Sequence, residues 1–153
     1  MTVIFAPEKF DPIMIEGRAL LERHRVEVAH FQDLMTLNVD DDIYRLLEAK
    51  DKLLIIGARD DGKLVGYISI FINTHPHYKH LLFANEDVMF VVPEHRDSST
   101  GILLLKHAEK AMRGRGCHFF TVRTKVDHDH SLIFKRLGFT PIDHVFIKRL
   151  DGK

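Results

Sequence analysis

Hydrophobic and polar residues follow two periodicities along the chain, and the order of these periodicities predicts the fold. A short apolar run at residues 2–5 is typical of a β-strand. Hydrophobic residues then recur every three to four positions from residue 13 to about residue 34, which predicts a helix with Pro12 in its first turn. A second helix is predicted over about residues 41–50, directly after an acidic turn.

The rest of the chain contains apolar runs of strand length, interrupted by two further helical patterns. Two runs are separated by Asp61-Gly62, a pair that is typical of a tight hairpin turn. The predicted strands cover residues 53–59, 63–73, 82–92, 118–124 and 142–149, and the predicted helices cover residues 102–112 and 131–137. The resulting order, β-α-α-β-β-β-α-β-α-β, predicts an α/β protein in which helices cover a mixed sheet.

Composition and charge narrow the class of protein. The chain has 153 residues, 45% of them hydrophobic, which suits one domain spanning residues 1–153. Its 22 basic and 22 acidic residues balance, whereas proteins that bind duplex nucleic acid usually show a basic excess. The single cysteine, Cys117, excludes an internal disulfide. Since the chain shows no signal-peptide pattern and no apolar run of 18 residues, we expect a cytoplasmic protein with neither membrane nor nucleic-acid partners.

The loop between the strand at 82–92 and the helix at 102–112 is a candidate anion site. The first backbone N–H groups of a helix have no partner inside the helix, and the helix dipole adds positive potential there. Arg96 adds a cation beside them, so the loop can hold a pyrophosphate group. Alternatively, a hydroxyl of the loop caps the helix. The loop residues are Arg96, Asp97, Ser98, Ser99, Thr100 and Gly101.

This loop resembles the acetyl-CoA signature of the GNAT acetyltransferase superfamily, Gln/Arg-x-x-Gly-x-Gly/Ala after a Pro-Glu turn. Arg96 stands at the first position of the signature and Gly101 at the last, while Ser99 replaces a usual glycine. Residues 133–139, Ile-Phe-Lys-Arg-Leu-Gly-Phe, are similar to the family's Phe-Tyr-Glu-Lys-Leu-Gly-Phe segment. Residues 60–68 are similar to its second hairpin, and the order and spacing of the three segments also match the family.

The resemblance implies a fold, a co-substrate and a reaction. The implied fold is a mostly antiparallel mixed sheet of six to seven strands, flanked by about four helices. The implied reaction transfers an acetyl group from acetyl-CoA to a primary amine by direct attack on the thioester, without a metal. Backbone groups of the strand before the loop would hold the pantetheine arm. The residues expected to contact acetyl-CoA are Phe90, Val91, Val92, Arg96, Asp97, Ser98, Ser99, Thr100, Gly101, Ile102 and Phe134.

Three carboxylates are candidates for the base that takes a proton from the amine. Glu86 and Asp87 lie in the strand before the loop, and alternation along the strand places them on opposite faces. The resemblance favours Asp87. Glu27 is the third candidate, because it lies within an otherwise apolar stripe of the first helix, three residues after His24. For each carboxylate, a solvated surface position is the alternative.

Histidines supply further candidates for contacts with the acceptor. The first helix borders the acceptor side in the family, so we expect His24 to contact the acceptor. We expect the same of His77 and Tyr78, which precede the strand at 82–92. The His-x-x-Glu and His-Tyr patterns are similar to ones in uncharacterised phage-borne GNAT-like proteins, which would place the chain in a host cytoplasm. A metal site at His75, His77 and His80 is a weaker alternative.

Phe134 raises an alternative function. Many family members have a tyrosine at this position that protonates the departing thiolate, and phenylalanine has no proton to donate. Together with Ser99, this difference leaves open a catalytically inactive GNAT-like module, either a phage-associated structural protein or an acyl-CoA sensor. The family often forms dimers, so a homodimer also stays open. The identity of the amine does not follow from the sequence.

Overall fold

Five strands and four helices form the computed structural model, which describes residues 2–152. In chain order they are β1 (Val3–Glu8), α1 (Phe10–Val28), α2 (Asp41–Ala49), β2 (Leu53–Asp60), β3 (Lys63–His75), β4 (Tyr78–Val91), α3 (Thr100–Gly114), β5 (Phe119–Thr121) and α4 (Ser131–Arg136). A 3-10 turn at Pro93–His95 follows β4. The chain divides into two units, one ending at Arg123 and the other beginning at Thr124. The limits of the predicted single domain, residues 1 and 153, lie outside the described residues.

The first unit contains a mixed sheet with the strand order β1-β2-β3-β4-β5. The first four strands are antiparallel neighbours, and β5 pairs with β4 in parallel. The predicted hairpin turn between β2 and β3 is confirmed, with Asp61 and Gly62 at φ values of 49° and 80°. Such left-handed backbone at both central positions matches the twist of the flanking strands. The mixed α/β class is therefore confirmed, with five strands rather than six to seven.

The two faces of this sheet are covered by different helices. Ile68 and Ile70 of β3 are fully buried, as are Leu104 and Ala108 of α3, which packs against β2 and β3. The intervening β3 residues point to the other face, since side chains alternate along a strand. On that face the Tyr44 ring of α2 lies 5.0 Å from the Phe10 ring and 5.7 Å from the Phe71 ring. This second face, beneath α1 and α2, contains the candidate site described below.

The bounds of α1 differ from the prediction at both ends. The helix begins three residues earlier, at Phe10, because Pro12 is tolerated in a first turn, where its missing N–H would have no helical partner. It ends at Val28 rather than near residue 34, since Ala29 is extended and Phe31 has a φ of 50°. The side chain of Gln32 donates to the Val26 carbonyl (2.8 Å) and satisfies one terminal acceptor of the helix.

The predicted final strand at residues 142–149 is wrong. No strand forms in this stretch of the described chain, and Val145 and Phe146 are 91% and 92% exposed. Apolar alternation shows only that a segment suits a strand, because a strand also needs a neighbour to accept and donate its backbone hydrogen bonds. The predicted helix in this unit is confirmed as α4, where the Phe134 ring lies 5.9 Å from the Phe139 ring.

No helix among residues 2–152 is long and apolar enough to cross a bilayer.

Candidate active site

A bulge in β4 positions Asp87. Ser69 of β3 pairs with Val88, and the next β3 residue, Ile70, pairs with Glu86, so Asp87 is an additional residue in β4. A bulge of this kind changes the direction of a side chain and strengthens the local twist. The Asp87 carboxylate accepts a hydrogen bond of 2.7 Å from the hydroxyl of Tyr44 on α2. The bulge therefore turns Asp87 towards the face that α1 and α2 cover.

Burial raises the pKa of Asp87 because the charged form loses hydration. The hydrogen bond from Tyr44 acts in the opposite direction, and so does the nearby Ser69 hydroxyl, although the Ser69 geometry does not complete a hydrogen bond. The positive charge of Arg123 also lowers the pKa of Asp87, and burial remains the largest effect. A carboxylate with a raised pKa accepts a proton more readily than one in water. This property suits a general base that works near neutral pH.

A cavity of about 30 Å³ lies between Asp87, α1 and α2. Among the lining residues, Asp87 is the one carboxylic acid, and the other polar side chains are those of Tyr44, Tyr67 and Ser69. Tyr67 and Ser69 are 5% and 3% exposed, and their hydroxyls have no hydrogen-bond partner among the described residues. The remaining wall is apolar and comes mostly from α1. Its side chains are Phe10, Ile13, Met14, Leu21, Val39, Ile55 and Val88.

The loop before α3 retains backbone donors. The first backbone bond of α3 runs from Leu103 N–H to the Ser99 carbonyl (2.9 Å), and Thr100 N–H donates to the Ser98 hydroxyl (3.3 Å). No acceptor within the described chain engages Gly101 N–H or Ile102 N–H. Ser99, the residue before the helix, makes no capping bond with its side chain in this part of the chain. The hydroxyl that caps the start of the helix is therefore that of Ser98, whereas the sequence left Ser98, Ser99 and Thr100 as candidates. The N–H groups of Gly101 and Ile102 remain for an anion.

Arg96 connects this loop to α1. Its guanidinium donates to both carboxylate oxygens of Glu27, at 2.7 and 2.8 Å, and its Nε donates to the Val91 carbonyl at 2.8 Å. The same group lies 5.3 Å from the centre of the Phe90 ring, and the His24 ring stacks on Phe90 at 5.1 Å. A bidentate carboxylate–arginine pair fixes the orientation of both groups. Glu27 thus lies beside the loop, and His24 lies on the Phe90 ring of β4.

Beyond its short pairing with β5, β4 has an edge that no other strand within residues 2–152 pairs with. The two strands pair only from Phe83 to Asn85 of β4. Val92 N–H donates to the Val65 carbonyl of β3, so Val92 cannot offer this donor to a ligand, contrary to the expectation for that residue. In an antiparallel pair, alternate residues bond to the same neighbour. The register therefore directs Phe90 towards β3 and leaves the backbone of Val91 and Met89 on the open edge.

The structure does not bring every predicted residue to this region. The hairpin turn after β3 contains His77, and Tyr78 begins β4 nine residues before Asp87, which is roughly 30 Å along a strand. Glu86 points towards β5, where its carboxylate accepts the backbone N–H of Arg123 (2.7 Å). Asp97 is exposed in the loop.

Phe134 lies on α4, within the second unit of the chain, where its ring lies 5.9 Å from the Phe139 ring.

Among residues 2–152, no group of three or more His, Cys, Asp or Glu side chains is arranged to share a metal ion, so the structure does not support the histidine alternative.

Sequence reasoning missed four residues of this region: Tyr44, Tyr67, Ser69 and Met89. Alternation along β3 places Tyr67 and Ser69 on one face, but it does not show which helices cover that face. The contact between Tyr44 and Asp87 joins residues 43 positions apart, and no local pattern predicts such a contact. The backbone of Met89 can be assigned to the open edge of β4 only when the register of β3 and β4 is known.

A model of the acetyltransferase (GNAT) family matches residues 19–139. The chain belongs to this family, which makes it an acyltransferase. A search of curated proteins found no significant match.

Solved structures of acetyltransferases have the same fold. A ribosomal-protein-alanine N-acetyltransferase from Brucella melitensis biovar Abortus 2308 is 18% identical, with a TM-score of 0.73 over 98% of this chain and 100% of that chain. An aminoglycoside acetyltransferase from an uncultured soil sample is 14% identical, with a TM-score of 0.75 over 99% and 100%. An acetyltransferase from Clostridium acetobutylicum, solved with acetyl-CoA, is 13% identical, with a TM-score of 0.74 over 97% and 96%.

Proposed function

We propose that the protein is an acetyl-CoA-dependent N-acetyltransferase that uses Asp87 as its base. The observation that carries this proposal is the Asp87 carboxylate, which is turned by a bulge into a cavity and has a raised pKa. The amine nitrogen attacks the thioester carbon and the carbon–sulfur bond breaks, so the electron pair leaves with the CoA thiolate. The proton of the amine passes to Asp87, directly or through water.

The loop before α3 is the proposed cradle for the pyrophosphate of acetyl-CoA. Gly101 N–H and Ile102 N–H supply donors at the positive end of a helix of 15 residues. A Cβ atom built on Gly101 would lie 3.5 Å from the Met89 side chain, which is an ordinary contact, so a side chain at this position would stand beside the donors without disturbing the fold. The acetyl-CoA in the Clostridium acetobutylicum structure is consistent with a co-substrate of this kind.

The open edge of β4 is the proposed binding surface for the pantetheine arm. Backbone donors of Met89 and Val91 face this edge, and an N–H there can stabilise the oxyanion that forms when the amine attacks. The thiolate is a weak base with a reference pKa of about 8.5, so solvent can protonate it without a tyrosine at position 134. Glu27 is assigned a positioning role, because both of its oxygens bind Arg96.

The test of this function compares Asp87→Asn with the wild type in an assay of CoA release from acetyl-CoA and amines. Asparagine preserves the shape of the side chain and removes its basicity. We expect kcat to fall by about 10²–10⁴-fold while the Kd for acetyl-CoA is unchanged. Asp42→Asn, an exposed change on the same helix as Tyr44, is the matched control. If Asp87→Asn keeps wild-type kcat, Asp87 is not the base.

One observation favours a second function, an acyl-CoA-binding module without turnover. Phe134 stands where many family members have tyrosine, so the chain lacks that proton donor. Such a module would bind acetyl-CoA with measurable affinity in a calorimeter and release no CoA with any amine. Release of CoA that depends on an added amine would exclude it.

A further inference from the structure

We infer that the acceptor is a primary amine with a single positive charge and apolar carbon next to its nitrogen. Its ammonium group would bind among Asp87, Ser69 and Tyr67. This inference rests on the proposed function, since it concerns the amine that Asp87 deprotonates. The side chains that line the cavity additionally indicate which class of amine is the acceptor.

The first argument is the number of polar oxygens in the cavity. The hydroxyls of Tyr67 and Ser69 are almost completely buried and lack a partner among the described residues, which is an unfavourable state for a polar group. The Asp87 carboxylate lies in the same cavity. A primary ammonium group has three N–H donors, and these three side chains offer an acceptor for each. A secondary amine brings one donor fewer and a bulkier nitrogen.

The register explains why these oxygens converge. Tyr67 pairs with Phe90 and Ser69 pairs with Val88, so both hydroxyl-bearing residues flank the β4 segment next to the Asp87 bulge. They lie two residues apart on β3 and thus on the same face of the sheet. Both residues belong to β3, the central strand of the sheet. A central strand holds side chains in position more rigidly than a loop does.

The second argument is charge. Burial raises the pKa of Tyr44 and Tyr67, so both phenols stay neutral at physiological pH. Asp87 therefore supplies the one negative charge among the residues that line the cavity. One carboxylate compensates for the charge of one ammonium group, and the second ammonium group of a diamine or an aminoglycoside would find no second carboxylate among the lining residues.

The third argument is size and polarity. A cavity of about 30 Å³ holds roughly two water molecules, so it accommodates the nitrogen and the carbon atoms bonded to it. Those carbon atoms meet the side chains of Ile13, Met14 and Leu21. Polar substituents next to the nitrogen would have no partner there. The inference thus separates this chain from the aminoglycoside acetyltransferases that share its fold.

The first experiment measures kcat/KM for CoA release with the wild-type protein and a panel of amines. We expect phenethylamine and isoamylamine to exceed 1,4-diaminobutane, spermidine and kanamycin, and N-methylphenethylamine to be a poor acceptor. Preference for kanamycin or spermidine would overturn the inference and leave the proposed function intact. Absence of CoA release with every amine, despite acetyl-CoA binding, would instead contradict the proposed function.

The second experiment removes the two hydroxyls. Ser69→Ala and Tyr67→Phe delete hydroxyl groups that have no hydrogen-bond partner among residues 2–152, so we expect both variants to fold with thermal midpoints near that of the wild type. Each is expected to raise the KM for phenethylamine by about tenfold or more, with an unchanged Kd for acetyl-CoA. Ser131→Ala, on α4, is the matched control. Unchanged KM values in both cavity variants would show that the hydroxyls do not bind the ammonium group.

A gain-of-function variant tests the charge argument. Leu21→Glu adds a carboxylate to the wall and is expected to improve kcat/KM for 1,4-diaminobutane relative to phenethylamine. Met14→Glu places the charge about two helical turns earlier on α1 and is used if Leu21→Glu does not fold. A folded variant with unchanged relative preference would contradict the role of wall charge in selecting a monoamine.

Discussion

Replacing Gly101 by Glu is expected to abolish most acetyl-CoA binding without disturbing the fold. A Cβ atom at this position would lie 3.5 Å from the Met89 side chain and 4.0 Å from the Val91 side chain, which are ordinary contacts. Gly101 lies in the first turn of α3, where glutamate has a higher helix propensity than glycine and a negative charge interacts favourably with the helix dipole. We therefore expect an unchanged or slightly higher thermal midpoint.

The loss of binding follows from repulsion between the added carboxylate and the pyrophosphate. Two like unit charges 4 Å apart repel by about 1 kcal/mol in water and about 4 kcal/mol at the effective dielectric constant of a protein surface. These energies correspond to an increase in Kd of about 5-fold to 1000-fold for each phosphate charge. Because exposed charges are screened by salt, the increase should become smaller in 1 M NaCl.

Isothermal calorimetry with acetyl-CoA measures this effect directly. Gly101→Gln is the matched control, since glutamine has the size of glutamate without its charge, and Gly101→Ala reports the effect of a methyl group alone. Circular dichroism verifies that each variant is folded. If Gly101→Glu binds acetyl-CoA as tightly as Gly101→Gln, the anion does not lie at the start of α3, and the cradle assignment is refuted.

Three further outcomes are expected. Acetylation should rise with pH through the raised pKa of Asp87, because only the ionised carboxylate accepts a proton, and Asp87→Asn should remove this step from the pH–rate profile. The same raised pKa means that the native state binds this proton more tightly than the unfolded state, so Asp87 loses stabilising free energy as pH rises through its native pKa. Urea unfolding should accordingly show Asp87→Asn gaining stability relative to the wild type between pH 4 and pH 8, and a constant difference would contradict the assignment. Gly66→Ala should lower the free energy of unfolding by about 1–3 kcal/mol, since its Cβ would lie 2.9 Å from the Phe90 carbonyl oxygen. Gly114→Ala, which meets no atom within 4 Å, should be neutral or stabilising by up to about 1 kcal/mol, and equal effects of the two changes would refute the steric argument.

Much of the fold could be predicted because its signals are local. The Asp61-Gly62 turn, the helical pattern of α3 and the loop from Arg96 to Gly101 depend on residues close together in sequence. The bounds of the strands were less predictable. β3 continues to His75 and β4 begins at Tyr78 because the two strands pair with each other up to these residues. The apolar segment at 142–149 has the pattern of a strand and lacks the neighbour that a strand requires.

The candidate site was predictable only in part. The sequence narrowed the candidates for the proposed base to three carboxylates, and the resemblance to the family favoured Asp87. The choice on physical grounds needed the bulge, which turns Asp87 towards Tyr44, while Glu86 contacts Arg123 and Glu27 contacts Arg96.

The sequence by itself determined the α/β class and the strand–loop–helix junction proposed to hold acetyl-CoA, because short-range periodicity and backbone geometry depend on neighbouring residues. The family was indicated by the resemblance of residues 60–68, 96–101 and 133–139 to its motifs. Only the tertiary structure decided which oxygens share the cavity with Asp87. Tyr44, Tyr67 and Ser69 come from α2 and β3, and their convergence depends on strand register and on which helices cover each face of the sheet. These are long-range packing relations. They set the burial that raises the pKa of Asp87, and they leave the Tyr67 and Ser69 hydroxyls without a hydrogen-bond partner in the described part of the chain.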